Sequence, residues 1–146
     1  MINILDYIFY RTYLEYKKAN ELEIHSSILY LSLILMFIFL PVNGFFCEIM
    51  RNGSDIFYKI CLFSNFIFIY IAVSIRYMKK GRIRELKDEF SNCKWNSVVP
   101  IWTIWALIFI SMIVGVTLHF FIVRTIIDPF GLTGIGYEFF VNHFGN

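Results

Sequence analysis

The chain alternates between three long apolar runs and short segments in which charge is concentrated. The first run spans 28–47, ILYLSLILMFIFLPVNGFFC, and carries no charge. The second spans 56–75, IFYKICLFSNFIFIYIAVSI, with Lys59 near its start. The third spans 98–123, VVPIWTIWALIFISMIVGVTLHFFIV, with His119 as its ionisable residue. Each is about as long as the ~20 residues that a helix needs to cross ~30 Å of hydrocarbon. Helix, not strand, is required because a segment surrounded by lipid must satisfy its own backbone donors and acceptors. The pattern predicts an all-α integral membrane protein with three transmembrane helices and an N-terminal interfacial amphipathic helix.

That N-terminal helix falls within residues 1–25. Ile4, Leu5, Ile8 and Phe9 share one face, with Asp6, Arg11, Glu15 and Lys18 away from it. Arg11 and Glu15 are spaced to pair across one turn, while Tyr7, Tyr10, Tyr13 and Tyr16 recur every third residue and spiral slowly round the surface. After the second run, Ile83, Leu86 and Phe90 keep helical spacing, which predicts an extension of that helix to about residue 90. Gly81 is a bend point in it, and Arg84 is spaced to meet Asp88. Residues 124–146 form a tail broken by Pro129, Gly131, Gly134 and Gly136, too short on either side of the breaks for a fourth span.

Composition removes the soluble alternative. Hydrophobic residues make up 58% of the 146 and charged residues 16%, where a soluble domain carries about a quarter charged. So small a domain has too little interior to hide that much apolar surface. The abundance of Phe and Tyr suits side chains placed among acyl chains or at the headgroup boundary. A net charge of +2 makes no case for nucleic acid. The distribution of charge matters more. Ten of the thirteen Lys and Arg lie before the first run or between the second and third. The positive-inside rule then places the N-terminus and the 76–94 segment in the cytoplasm and the C-terminus outside. Trp95, Trp102 and Trp105 are expected on one helical face at the cytoplasmic edge of the third span, with Pro100 in its first turn. Arg76, Lys79, Lys80, Arg82 and Arg84 are candidate contacts to anionic lipid, each worth ~1 kcal/mol at a charged surface, although topology control alone accounts for them. The first apolar run begins too late for a cleaved signal, so Met1 is expected to stay.

Candidate functional residues lie inside the spans, where polar groups are costly. Asn43, Asn65 and His119 all fall toward the outer half of the bilayer, because successive helices run in opposite directions. Cys61 is one turn before Asn65, and Ser111, Gly115 and His119 form a small-residue line of the kind that lets helices approach closely. The preferred reading of this polar cluster is interhelical hydrogen bonding; the alternative is a small cavity for an ion, proton or polar ligand. Pro41 is expected to bend the first span. Cys47 and Cys61 both lie near the outer face, where an oxidising compartment would allow a disulfide, but Cys61 is placed a turn or more deeper, so buried free thiols are the preferred expectation. Asn52-Gly53-Ser54 matches the glycosylation acceptor pattern close to the membrane. No nucleophile elbow, zinc-peptidase motif, phosphate loop or pair of membrane carboxylates is present. A non-enzymatic protein without catalytic, metal or cofactor residues is the expectation.

The opening Asp6-Tyr7-Ile8-Phe9-Tyr10-Arg11, leading to Lys17-Lys18 and then an apolar span, resembles the start of small multi-pass membrane proteins of Bacteroidota. The resemblance covers roughly the first third of the chain and implies a bacterial inner membrane and no activity. The functional expectation is an accessory, scaffold or immunity-type protein that acts through contacts with a protein partner or further copies of itself in the bilayer. The alternative is an oligomeric channel or transporter component whose path is lined by Asn43, Asn65 and His119.

Overall fold

A computed structural model describes residues 3–19, 22–50 and 55–133. Helix α1 covers Ile4–Lys18, α2 Glu23–Ile49, α3 Asp55–Tyr77, α4 Arg82–Phe90, α5 Trp95–Val98 and α6 Ile101–Ile122. A π-helical turn, Val123–Ile127, then leads into a last short helix, α7, Asp128–Phe130. No strand occurs among the described residues. Asn3 caps α1 by accepting from the Leu5 amide at 3.1 Å, and Lys17 and Lys18 sit at its C-terminal, electronegative end. Three stretches are long and apolar enough to cross a bilayer: Glu23–Ile49, Ile56–Tyr77 and Ile101–Phe130. The chain is an all-α, multi-pass membrane protein.

The three long helices form a row with α2 in the middle, bridged at one end by the hydrogen bond between Tyr58 of α3 and His119 of α6. Its main partners are α6 on one flank and α3 on the other, while α1 lies across α2 and α6 and also meets α4. Burial follows this order: 44% of the apolar window of α2 is inside the molecule, against 17% for the α6 stretch and 6% for α3. Small residues let α2 take the central place. Ser27 and Ser32 are fully buried and return their hydroxyls to the carbonyls of Glu23 and Ile28 in their own helix, and Gly44 faces α6. The buried hydrophobic cluster gathers at the α1 end. There Tyr7 meets Phe90 and Trp95 edge-on, both at 5.7 Å, and Phe9 stacks on Tyr77 at 3.9 Å.

Several local expectations change. Helix α3 does not run on to residue 90: it stops at Tyr77, and Gly81, at φ +90°, turns the chain before α4 starts. Glycine carries no penalty for this left-handed conformation, and the turn swings α4 back so that Leu86 and Phe90 are buried in the α1 cluster. Helix α6 begins at Ile101, not at residue 98, with Pro100 just outside it, because the residue before a proline is driven out of the helical region and Val99 is extended. The three tryptophans therefore do not share a face. Trp102 is exposed, Trp95 lies on α5 against Tyr7, and Trp105 turns inward between Tyr16 and Tyr30. Helix α2 continues through Pro41, which is buried within it. In the tail, Gly131 takes φ +59° and closes α7. Met1, Arg51, the Asn52-Gly53-Ser54 pattern and the tail beyond Thr133, with Gly134 and Gly136, lie outside the described residues.

Candidate functional site

Two clusters of polar residues occupy opposite ends of the row. The one at the far end from α1 is built on Gly44, Cys47, Tyr58, Cys61, Asn65 and His119. Because α2 and α3 are antiparallel and joined by a short connection, Cys47 near the end of α2 comes level with Cys61 near the start of α3. Their Cα atoms are 6.1 Å apart and the sulfurs are bonded, well within the range a disulfide requires. Free thiols were the sequence expectation, since Cys61 counted as deeper by a turn; the pairing of the two helices cancels that offset. The Asn65 amide donates to the Cys61 carbonyl at 3.1 Å and rests near both sulfurs.

On the other flank, Ser111, Gly115 and His119 are all buried on α6. Gly115 abuts the backbone of Phe37: a Cβ there would overlap the Phe37 carbonyl oxygen and lie 2.9 Å from its carbon. Pro41 has no N–H to give the carbonyl four residues back, so this oxygen lacks its ordinary helical donor. The bare Cα of Gly115 settles against it, where a Cα–H can approach the oxygen. His119 lies on Gly44, whose Cβ would overlap the imidazole ring, and its Nε2 is hydrogen-bonded to the Tyr58 hydroxyl at 2.9 Å. Its Nδ1 is buried with no hydrogen-bond partner among the described residues. Ser111 satisfies its hydroxyl on the Ile108 carbonyl. Asn43 is half-buried beside Gly44 and joins neither Asn65 nor His119 among the described residues. Gly44 and Tyr58 are contributions that the sequence reading missed. The signal for Gly44 was the Pro41, Gly44, Cys47 spacing, which shares one buried face of α2; no spacing pointed to Tyr58.

A direct consequence concerns the thiols. Alkylation of the unfolded, unreduced protein should modify one cysteine, Cys93, and alkylation after reduction should modify three. Intact mass reads the difference, and three adducts without reductant would remove the covalent link. Closing a loop of 14 residues is worth about 3 kcal/mol in chain entropy, so reduction should measurably lower the melting temperature in detergent.

The second cluster is a latch. Asp6 is 4% exposed and accepts from three sources: Arg76 at 3.0 Å, Arg82 at 2.7 Å and the Tyr77 hydroxyl at 2.7 Å. It was expected to lie away from the apolar face of α1; instead it ties α1 to the end of α3 and the start of α4. Burial alone would raise its pKa, but the hydrogen bonds from Arg76, Tyr77 and Arg82 outweigh that and hold the carboxyl below the usual range. Arg11 also departs from its expected pairing with Glu15. It donates to the Tyr7 hydroxyl at 2.9 Å and to the carbonyls of Asn96 and Val99, while Glu15 pairs with Lys18. Arg82 meets Glu85, and no Arg84–Asp88 pair is found among the described residues.

No family model, curated protein or solved structure matches this chain.

The five candidate lipid contacts thus divide. Arg76 and Arg82 are committed to Asp6, and Lys79 borders a separate cleft with Leu22 and His25. Lys80 and Arg84 line a cavity of about 840 Å³ between α1 and α4. Among the described residues no group of three or more His, Cys, Asp or Glu is placed to hold a metal ion.

Proposed function

We propose that this chain is a non-enzymatic accessory, scaffold or immunity-type protein of a bacterial cytoplasmic membrane, acting through lateral contact with a protein partner. Its N-terminus and the α4 segment face the cytoplasm and its C-terminus lies outside. One observation carries the reading. The long helices stand in a row, because α3 and α6 each pack chiefly along α2 and meet at one end through Tyr58 and His119. Such a row leaves most of α3 turned outward, with Phe63, Phe68, Ile71 and Ile75 exposed along it. The polar groups also support contact over transport: the Cys47–Cys61 bond and the Tyr58–His119 pair satisfy one another across helices, as interhelical glue does. A disulfide at the far end from α1 agrees with that end facing an oxidising compartment.

The test is functional reconstitution. Purified protein in sealed vesicles should pass no ions or small solutes above the protein-free control. A photo-crosslinker at Phe68, on the outer flank of α3, should give one discrete protein adduct in native membranes. Solute flux that is abolished by His119→Phe in a protein that still folds would overturn the reading in favour of an oligomeric channel or transporter. For the orientation, a reporter that folds only outside the cytoplasm should be active at the C-terminus and silent at the N-terminus.

A further inference from the structure

The cavity between α1 and α4 is more cationic than topology requires. Five positive side chains border it: Lys17 and Lys18 from α1, and Lys80, Arg84 and Lys87 from the turn and α4. Among the described residues no acidic side chain lines it. Lys18 is partly neutralised by Glu15 at 2.6 Å, and Lys17 rests over the Tyr13 ring at 5.9 Å. Lys80, Arg84 and Lys87 form no ion pair among the described residues. The positive-inside rule explains why cations gather on this side of the membrane. It does not explain why two separate helices aim theirs into one hollow while the nearby Arg76 and Arg82 are spent on Asp6.

The remaining walls are apolar or amphipathic. Leu14, Ile83 and the rings of Tyr10 and Tyr13 supply them. The position is also informative. Helix α3 leaves its apolar stretch at Tyr77, and Lys80 and Gly81 follow within one turn, so the cavity opens at the level where headgroups meet hydrocarbon. A volume of about 840 Å³ is in the range of small-molecule sites. A cationic rim over an apolar wall at this depth matches an amphiphile whose head is an anionic phosphate and whose body is greasy. We propose that this cavity is a binding site for the phosphate headgroup of an anionic phospholipid, held by Lys80, Arg84 and Lys87 from one side and Lys17 and Lys18 from the other.

The Asp6 latch shapes the site, since it clamps α1 to both ends of the turn that carries Lys80. Anionic lipid in the cavity would in turn hold α4 against α1, coupling the soluble face of the protein to the composition of the leaflet around it.

The experiment uses the full chain reconstituted in mixed vesicles of phosphatidylcholine and phosphatidylglycerol, then transferred to mild detergent. Lipid retained on the protein is counted by native mass spectrometry. The wild type should keep phosphatidylglycerol in preference to phosphatidylcholine. Arg84→Gln with Lys87→Gln should lower that preference about 25-fold, two surface charges each being worth about a factor of five. Lys79→Gln with Lys94→Gln removes the same charge outside the cavity and should leave the preference within about twofold of wild type, because screened charges away from a bound headgroup add little. All four positions are exposed, so folding is not at stake. Equal losses in the two pairs would mean a general surface potential and overturn the site, as would no loss in either. Retention of inorganic phosphate alone, with no lipid preference, would overturn the lipid assignment.

Discussion

Gly115→Ala should separate α2 from α6 and cost about 3 kcal/mol of stability, the upper end of what overpacking a well-fitted contact does. The added Cβ would overlap the Phe37 carbonyl oxygen, and both sides of that contact are backbone. Neither can rotate away as a side chain would. Helix α6 would have to retreat, taking the Ser111 and His119 contacts with it. Gly44→Ala is the graded comparison: the atoms nearest its Cβ belong to the His119 ring, which can turn aside at the expense of the bond to Tyr58. That change should cost about 1 kcal/mol, the net worth of one hydrogen bond. Denaturation in mixed micelles measures both. A Gly115→Ala protein within about 0.5 kcal/mol of wild type, the usual range for surface substitutions, would show that the two backbones do not touch.

Asp6→Asn should be the second large effect. The substitution keeps the shape of the side chain and removes the charge that Arg76 and Arg82 share. Breaking a buried ion pair costs about 3–5 kcal/mol; here Arg76 is half exposed and can regain water, which brings the expected loss to about 2 kcal/mol. The pH dependence follows from the depressed pKa of Asp6. A carboxyl that is more acidic in the folded than in the unfolded chain contributes its full stability above the ordinary carboxylate value. That contribution fades as pH falls below 3.8 and through the lower folded value. The wild type should therefore lose melting temperature on acidification through this window, and Asp6→Asn should lose less. Parallel pH profiles for the two proteins would remove Asp6 from the linkage. Because α1 is held to α3 and α4 by this residue, the variant should also expose α1 to protease while the long helices stay protected.

Reading the chain as a string of side chains established the medium. Three apolar runs with almost no charge have nowhere to go but lipid, and lipid admits only internally bonded helices in an open-chain protein of this kind. That inference depends on length and composition, which tertiary contacts cannot alter. The line Ser111, Gly115, His119 was legible for a similar reason: the period of a helix decides which residues share a face. Other details were decided between helices, where no one-dimensional spacing reaches. Cys47 and Cys61 are level only because α2 and α3 run antiparallel in this register. Asp6 seemed to belong to the wet side of an amphipathic helix, yet its partners stand some seventy residues away on α3 and α4. The same packing sorted a run of basic residues into two latch arginines and a set that faces a cavity. Hydrophobic burial is local and additive, so it can be read along the chain; charge pairing and sulfur bonding need distances that only the folded arrangement supplies.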